Sequence, residues 1–265
     1  MDPARYSVLI RTFNSHATLP ATIASLTAQS WPPGGYLFVD SGSTDGTLDV
    51  VPPGSTIHHY IGRAFSYAAS LNQGIAYLET EFALIISSHT VLENTEAIAY
   101  ALNLLTEDEA VGAAYFCLED EGCLSHLLID RKNFTGFNGV WNTCAVVRTA
   151  LLKKRAFRPE VFSAEDQEWS AWLFDVEGKS VARISGGGMG YMNPRKHPLR
   201  KRLNENIAVA LYVKPEMLGF AYLARVGYRV IRPVSGLKER VFNARLLFSL
   251  ISYRFFEPRL TSRYY

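Results

Sequence analysis

Short apolar runs alternate with amphipathic stretches through the first half of the chain. Tyr6 to Asn14 (YSVLIRTFN), Gly35 to Ser41 (GYLFVDS), Thr56 to Gly62 (TIHHYIG) and the run from Ala83 (ALIISSHTVL) read as strands. β-branched and aromatic residues fill them and turn residues bound them. Between these runs, Thr18 to Ser30 and Ser66 to Thr80 carry apolar residues at helical spacing, with Thr18 as N-cap and Pro20 in the first turn. Strands separated by helices of this length predict an α/β fold with a mostly parallel sheet. Farther along, Glu93 to Thr106 reads as a helix and Val111 to Glu119 as a strand. Ser163 to Gly178 reads as a helix capped by Ser163, and Val181 to Ser185 as a short strand. Two more helices, Asn204 to Tyr228 and Ser235 to Phe256, end the chain, the first interrupted at Pro215.

Composition adds one asymmetry to this picture. The 265 residues are 48% apolar, enough to bury a full core, and their net charge is only +2. Through Ala182 there are 11 basic and 21 acidic residues; after it there are 16 and 4. The basic end, rich in Tyr, Phe and Arg, fits an anionic membrane surface, an anionic acceptor, or docking onto the acidic half. No recognition motif for nucleic acid accompanies the charge. Three cysteines without metal-ligand spacing point to a reduced compartment, and residues 1–30 lack a secretory leader pattern. The expected location is cytoplasmic, with the basic helices as the contact if the protein sits at the inner face of the membrane.

In open parallel sheets, ligands bind beyond the carboxyl ends of the strands. Three of the predicted strands end in polar clusters: Arg11, Thr12, Phe13 and Asn14; Asp40 to Thr47 (DSGSTDGT); and Ser87, Ser88 and His89. Asp40 offers a carboxylate to an imide N–H or a sugar hydroxyl, with Gly42 and Gly46 allowing close turns. A calcium loop is a poor competitor, since Gly42 and Thr44 stand at ligand positions and Val51 where the bidentate Glu belongs. Ser185 to Gly190 (SGGGMG) lacks the Lys-Ser/Thr ending of a phosphate loop and reads as a flexible loop near the site.

Taken in order, these segments resemble the inverting family-two glycosyltransferases over about residues 5 to 200. "SVLIRTFN" stands where that family has a first strand ending in Thr-aromatic-Asn, and "VDSGSTDGT" matches its second-strand motif. "FSYAASLNQGI" matches the helix carrying a donor-side Asn, here Asn72, and "AEDQEW" the acidic motif that supplies the base. The resemblance implies a GT-A (Rossmann-like) domain over residues 1–200, a mixed, mostly parallel sheet flanked by helices. Residues 201–265 form a basic helical extension, packed on the domain, at a homodimer interface or at a membrane surface. It implies hexosyltransferase-type transfer, with inversion, from a nucleoside-diphosphate sugar to a hydroxyl of a glycan or glycolipid in polysaccharide or glycoconjugate biosynthesis. Asp40 meeting an imide N–H favours UDP or dTDP, with a ribose or guanine contact as the alternative. Thr12, Asn14, Asp40, Ser41, Asn72, Ser87 and Ser88 are the implied donor contacts. Asp166 is the implied general base, with Glu165 orienting the loop or meeting the acceptor.

One departure stands out. The family ends its fourth strand in Asp-X-Asp, whose last Asp binds the metal on the donor diphosphate; here Ser87, Ser88 and His89 stand there. His89 and His197 are the remaining candidate ligands, and imidazole suits Mn²⁺ better than Mg²⁺. The alternative is a metal-independent site in which Arg63, Arg195, Lys196 or protonated His89 neutralises the diphosphate. Acceptor recognition is expected between Phe134 and Phe162, where Asn138, Trp141 and Asn142 lie. Two other readings compete: an inactive GT-A domain that binds nucleotide or glycan, and a nucleotidyltransferase. The latter wants a Gly-rich basic first loop, which residues 11–20 do not supply.

Overall fold

The computed structural model describes residues 5–62, 64–118, 122–192, 198–232 and 236–256. The chain runs β1 (Tyr6–Thr12), α1 (Leu19–Thr27), β2 (Gly35–Asp40), β3 (Thr56–His59), α2 (Tyr67–Ile75), β4 (Phe82–Ser87) and β5 (Thr90–Leu92). It continues with α3 (Ala97–Glu107), β6 (Val111–Phe116), β7 (Ser125–Ile129), β8 (Cys144–Arg148), α4 (Thr149–Lys154), α5 (Glu165–Asp175), β9 (Ser180–Ser185) and β10 (Met189–Tyr191). Then come α6 (Pro198–Tyr212), α7 (Phe220–Ile231) and α8 (Leu237–Phe255). Among the described residues, eight strands form one sheet in the order β3-β2-β1-β4-β8-β6-β9-β7, and β10 pairs with β5 in a small second sheet.

The four strands β3, β2, β1 and β4 are mutually parallel, while β8 runs antiparallel to both β4 and β6. β6 and β9 are parallel again, and β7 closes the edge antiparallel to β9. This is the mixed, largely parallel sheet flanked by helices that the alternation of strands and helices predicts.

Alternate side chains of each strand feed opposite faces. Val8, Ile10, Phe38, Leu84 and Ile86 face a core shared with Leu19, Leu26 and Leu102 of α1 and α3. Leu9, Val39, Ile85 and Val147 face the other, shared with Leu71 of α2, Trp169 of α5, Ile207 of α6, Val226 of α7 and Leu246 of α8. On that second face α2 lies close: a Cβ on Gly74 would run into Leu9 and sit 2.8 Å from Val39 Cγ2.

Three expectations change. The helix expected over Asn204 to Tyr228 begins earlier, at Pro198; its expected interruption at Pro215 holds, as a 3-10 turn over Pro215–Leu218. The N-cap of α5 is Ala164, in the left-handed region at φ 56°, rather than Ser163. Ser185 to Gly190 is a close-packed turn joining β9 to β10, not a flexible loop. Gly186 sits at φ 80° against the backbone of Cys123, where any Cβ would clash, and Asn94 Nδ2 donates to its carbonyl at 2.7 Å.

Candidate active site

The parallel strands β1, β2 and β4 end at one edge, at Thr12, Asp40 and Ser87. Because β8 runs the opposite way, its start brings Asn142 and Thr143 to the same edge, and Ser87 N donates to Thr143 O at 3.0 Å.

Asp40 is buried, 2% exposed, at the tip of β2. Its Oδ1 accepts from Thr12 Oγ1 at 2.8 Å and Ser43 Oγ at 2.5 Å; its Oδ2 accepts from Gly42 N at 3.0 Å and Ser43 N at 2.9 Å. Burial raises its pKa, but the bonds from Ser43, Thr12 and Gly42 outweigh that and hold the carboxyl below its ordinary value. A carboxylate has about four lone-pair positions, and here each meets a donor from this edge. Ser41 N continues the ladder to Thr12 O at 2.9 Å.

Hydrogen bonds stitch this loop to its neighbours. Asn14, at φ 48°, receives Thr44 N on Oδ1 at 2.9 Å, and its own N–H donates to Ser43 Oγ at 2.9 Å. Ser15 N donates to Thr47 Oγ1 at 2.7 Å and His16 N to Asp45 Oδ2 at 3.0 Å. Ser88, buried, shares a hydrogen bond of 2.8 Å with Ser15 Oγ, and its carbonyl receives Thr18 Oγ1 at 2.8 Å. Thr18 thus braces β4 rather than capping α1 through its side chain.

The remaining implied donor contacts differ in placement. Ser87 stands beside Arg11 in register on the α2 face of the sheet. The Arg11 guanidinium lies 4.7 Å over the Tyr67 ring and donates to Tyr67 O at 3.3 Å. Asn72 is committed elsewhere: its Nδ2 donates to Phe157 O at 2.7 Å and its Oδ1 accepts from Phe157 N at 3.0 Å. In this structure Asn72 braces the loop after α4.

His89 sits in the β4–β5 turn, its ring edge-on to Tyr191 at 4.6 Å. Burial, then the charges of Lys201 and Arg11, push its pKa down to about 4. The imidazole is therefore neutral at pH 7 when no anion lies beside it. Among the described residues no three His, Cys, Asp or Glu side chains gather into a metal site. Where the resemblance implies an acidic metal motif, the chain offers two hydroxyls, one spent on Ser15, and a single neutral imidazole. This donor set does not fit such a site. His197, with Arg63, Arg195 and Lys196, lies outside the described residues.

Asp166 stands in the first turn of α5, among Glu165 and Glu168, where a helix N-terminus favours negative charge. It is half-buried. Its Oδ2 accepts from Asn142 N at 3.2 Å and its Oδ1 from Gln167 N at 2.8 Å. Burial, the Glu165 carboxylate and Glu205 of α6 raise its pKa to about 7, against the lowering by those two N–H groups. Ser170 Oγ donates to Asp166 O at 2.7 Å and receives Val140 N at 2.8 Å, which locks α5 to the 139–142 segment. Glu165 is buried, facing Asn142 Nδ2 at 3.4 Å, and Asn142 Oδ1 is buried without a partner.

Of the residues expected to meet an acceptor, Trp141 rests on Tyr115, ring centroids 5.1 Å apart, with its Nε1 donating to Phe137 O at 3.2 Å. Asn138 builds its own turn, receiving Thr135 N at 2.7 Å. Sequence reasoning missed α6 as part of this site. Lys201 bears on His89, Glu205 bears on Asp166, and the two approach to 3.6 Å at i,i+4. Their spacing is the only signal in the sequence.

Three comparisons bear on this geometry. The family model for glycosyl transferase family 2 matches residues 7–155. No curated protein matches in sequence. A mannosyltransferase from Pyrobaculum calidifontis, in complex with GDP-Man and Mn²⁺, aligns at TM-score 0.65 and 16% identity, covering 97% of this chain and 90% of that one. Residues 1–349 of S. aureus TarS align at 0.58 and 18%, covering 94% and 80%. Glucosyl-3-phosphoglycerate synthase from Mycobacterium tuberculosis, with Mn²⁺, UDP and phosphoglyceric acid, aligns at 0.60 and 14%, covering 79% and 78%. At such identities these structures establish the shared GT-A architecture, and the family match, spanning more than half the chain, establishes that this protein belongs to glycosyl transferase family 2.

Proposed function

We propose that the protein transfers a sugar from a nucleoside-diphosphate sugar to an acceptor hydroxyl with inversion at the anomeric carbon, Asp166 acting as general base. The observation that carries this reading is the Asp166 carboxyl, half-buried at the sheet edge with its pKa raised to about 7. A base titrating near the working pH removes a hydroxyl proton most effectively. Deprotonated Asp166 takes the acceptor proton as that oxygen attacks the anomeric carbon. The bond to the diphosphate breaks on the opposite side, and its electron pair leaves with the phosphate oxygen. Asn142 N and Gln167 N aim the carboxylate, and Glu165, through Asn142, fixes the segment that does so.

The donor is placed over the ends of β1, β2 and β4, where Arg11 and Lys201 supply positive charge near His89. Solved relatives were captured with GDP-Man, UDP-GlcNAc and UDP, so the base and sugar are read from a panel. The acceptor belongs to the glycan or glycolipid class. Relatives hold Mn²⁺, but no step here is routed through a metal, since the described donor set does not fit one.

Nucleotide release is measured with UDP-, dTDP- and GDP-sugars, with Mn²⁺, Mg²⁺ or EDTA, beside calorimetric titration of the nucleotides. Turnover lost in Asp166→Asn with nucleotide affinity retained supports the proposal; turnover intact in that variant refutes it. A second reading, an inactive domain that binds nucleotide or glycan, is favoured by the missing acidic motif and wins if binding occurs without turnover of any donor.

A further inference from the structure

The outer face of α7 and α8 carries a pattern that the site does not use. Along α8, Leu237, Val241, Ala244, Phe248, Ile251 and Phe255 follow one another at steps of four and three residues, and all are exposed. Leu237 is 77% exposed, Phe248 76% and Phe255 71%. The same helix buries Phe242, Leu246 and Leu250 against the core, on its opposite side. On α7, Phe220, Ala224, Tyr228 and Ile231 repeat at four, four and three, with Phe220 84% exposed, opposite buried Val226.

The two helices lie antiparallel side by side. Arg240 Nε donates to Val230 O at 2.7 Å at one end, and Arg254 Nη1 to Leu218 O at 2.9 Å at the other. Each stripe lies opposite the residues its own helix buries, so the pair presents both on the side facing away from the sheet. No described helix is long and apolar enough to cross a membrane.

A stripe at this spacing is also the seam of a coiled coil, so its flanks decide the occupant. Beside the α8 seam stand Lys238, Arg240, Arg245 and Arg254, with Leu247 and Ser252 at the two other flanking positions. Across residues 220–256 there are seven basic residues and one acidic residue, Glu239, which is engaged by Arg202 at 2.6 Å. Two copies meeting through this seam would set like charges against like. An anionic surface with an apolar interior meets both demands, taking the Phe and Leu side chains while its headgroups face the Arg and Lys.

We propose that the α7–α8 face docks on an anionic lipid bilayer. The stripe inserts shallowly at the headgroup boundary, and the basic flanks hold it there.

The full chain is floated with phosphatidylcholine vesicles with and without phosphatidylserine, at low and high salt. Binding to the anionic vesicles that weakens with salt is expected. Neutralising a basic flank that does not bond α7, Arg245→Gln or Lys238→Gln, should weaken it about fivefold each, and Phe248→Ser with Phe255→Ser should abolish it. These side chains are exposed, so unchanged melting and nucleotide affinity in the variants separate lost docking from lost folding. Failure to bind anionic vesicles, or binding indifferent to the two Phe substitutions, overturns the proposal. So does a dimer in sedimentation that those substitutions dissolve, which would make a second copy the occupant.

Discussion

Replacing Asp40 in two ways separates an organiser of the loop from a reader of the nucleotide base. Asp40→Ala strands two backbone donors, Gly42 N and Ser43 N, while the Thr12 and Ser43 hydroxyls can turn elsewhere. An unsatisfied buried donor costs about 1–3 kcal/mol. Gly42 is exposed, so water recovers part of this, and the expected loss is about 2–4 kcal/mol. Asp40→Asn keeps the geometry: its carbonyl can take both N–H groups and its NH₂ can donate to both hydroxyls. Only the charge assistance goes, for about 1 kcal/mol. The sign with pH follows from the depressed pKa. The extra stability is complete above the unfolded value of 3.8 and disappears as pH falls through the lower folded value. Urea denaturation of both variants at neutral and acid pH, beside nucleotide titration, measures all of this. Equal losses in the two variants, or a wild-type advantage over Asp40→Asn that persists in acid, would refute the argument. Asp40→Asn that melts normally yet loses nucleotide affinity would make Asp40 a reader of the ligand.

Transfer should rise with pH through about 7 as Asp166 deprotonates, and a pH–rate profile flat from pH 5 to 8 would count against it. The raised pKa also destabilises: between 3.8 and about 7 the folded chain holds a proton that the unfolded chain releases. Asp166→Asn removes that penalty but leaves a single acceptor oxygen for the N–H groups of Asn142 and Gln167, so the pH dependence is the readout: its stability relative to wild type should fall by on the order of 1 kcal/mol, after solvent screening, from pH 7.5 toward pH 4. Glu168 accepts Arg155 Nη2 at 2.5 Å with both side chains largely buried, so Glu168→Gln should cost about 3 kcal/mol in chemical denaturation. Gly74→Ala gains helix propensity but drives a methyl into Leu9 and Val39; a net loss of about 1–2 kcal/mol is expected, and a stabilised variant would show that α2 can lift from the sheet.

The strands that carry the site were legible because they are buried on both faces and so read as continuous apolar runs: Val8 to Ile10, Leu37 to Val39, Ala83 to Ile86. β7 escaped because it is an edge strand whose first four residues are exposed, and β5 and β10 because three residues carry no period. β8 was absorbed into the stretch assigned to acceptor recognition, although Ala145, Val146 and Val147 announce it. The motifs placed Thr12, Asp40, Ser87 and Asp166 at one edge of the chain's chemistry, and the sheet brings their elements together. Partners were hidden. Asn72 spends its amide on Phe157, 85 residues away, and the influence of Lys201 and Glu205 depends on where α6 lies, which no local pattern encodes.

The stitching of the loops after β1, β2 and β4 sets the thermodynamics of binding at this end of the site. Asn14, Ser15, His16 and Thr18 already hold Ser43, Thr44, Asp45, Thr47 and Ser88 through hydrogen bonds of 2.7 to 3.0 Å. The conformational entropy of these loops is given up when the chain folds, not when a ligand arrives. A nucleotide meeting them binds a rigid surface, so its association should show a small heat-capacity change and a rate with little dependence on ligand-induced ordering.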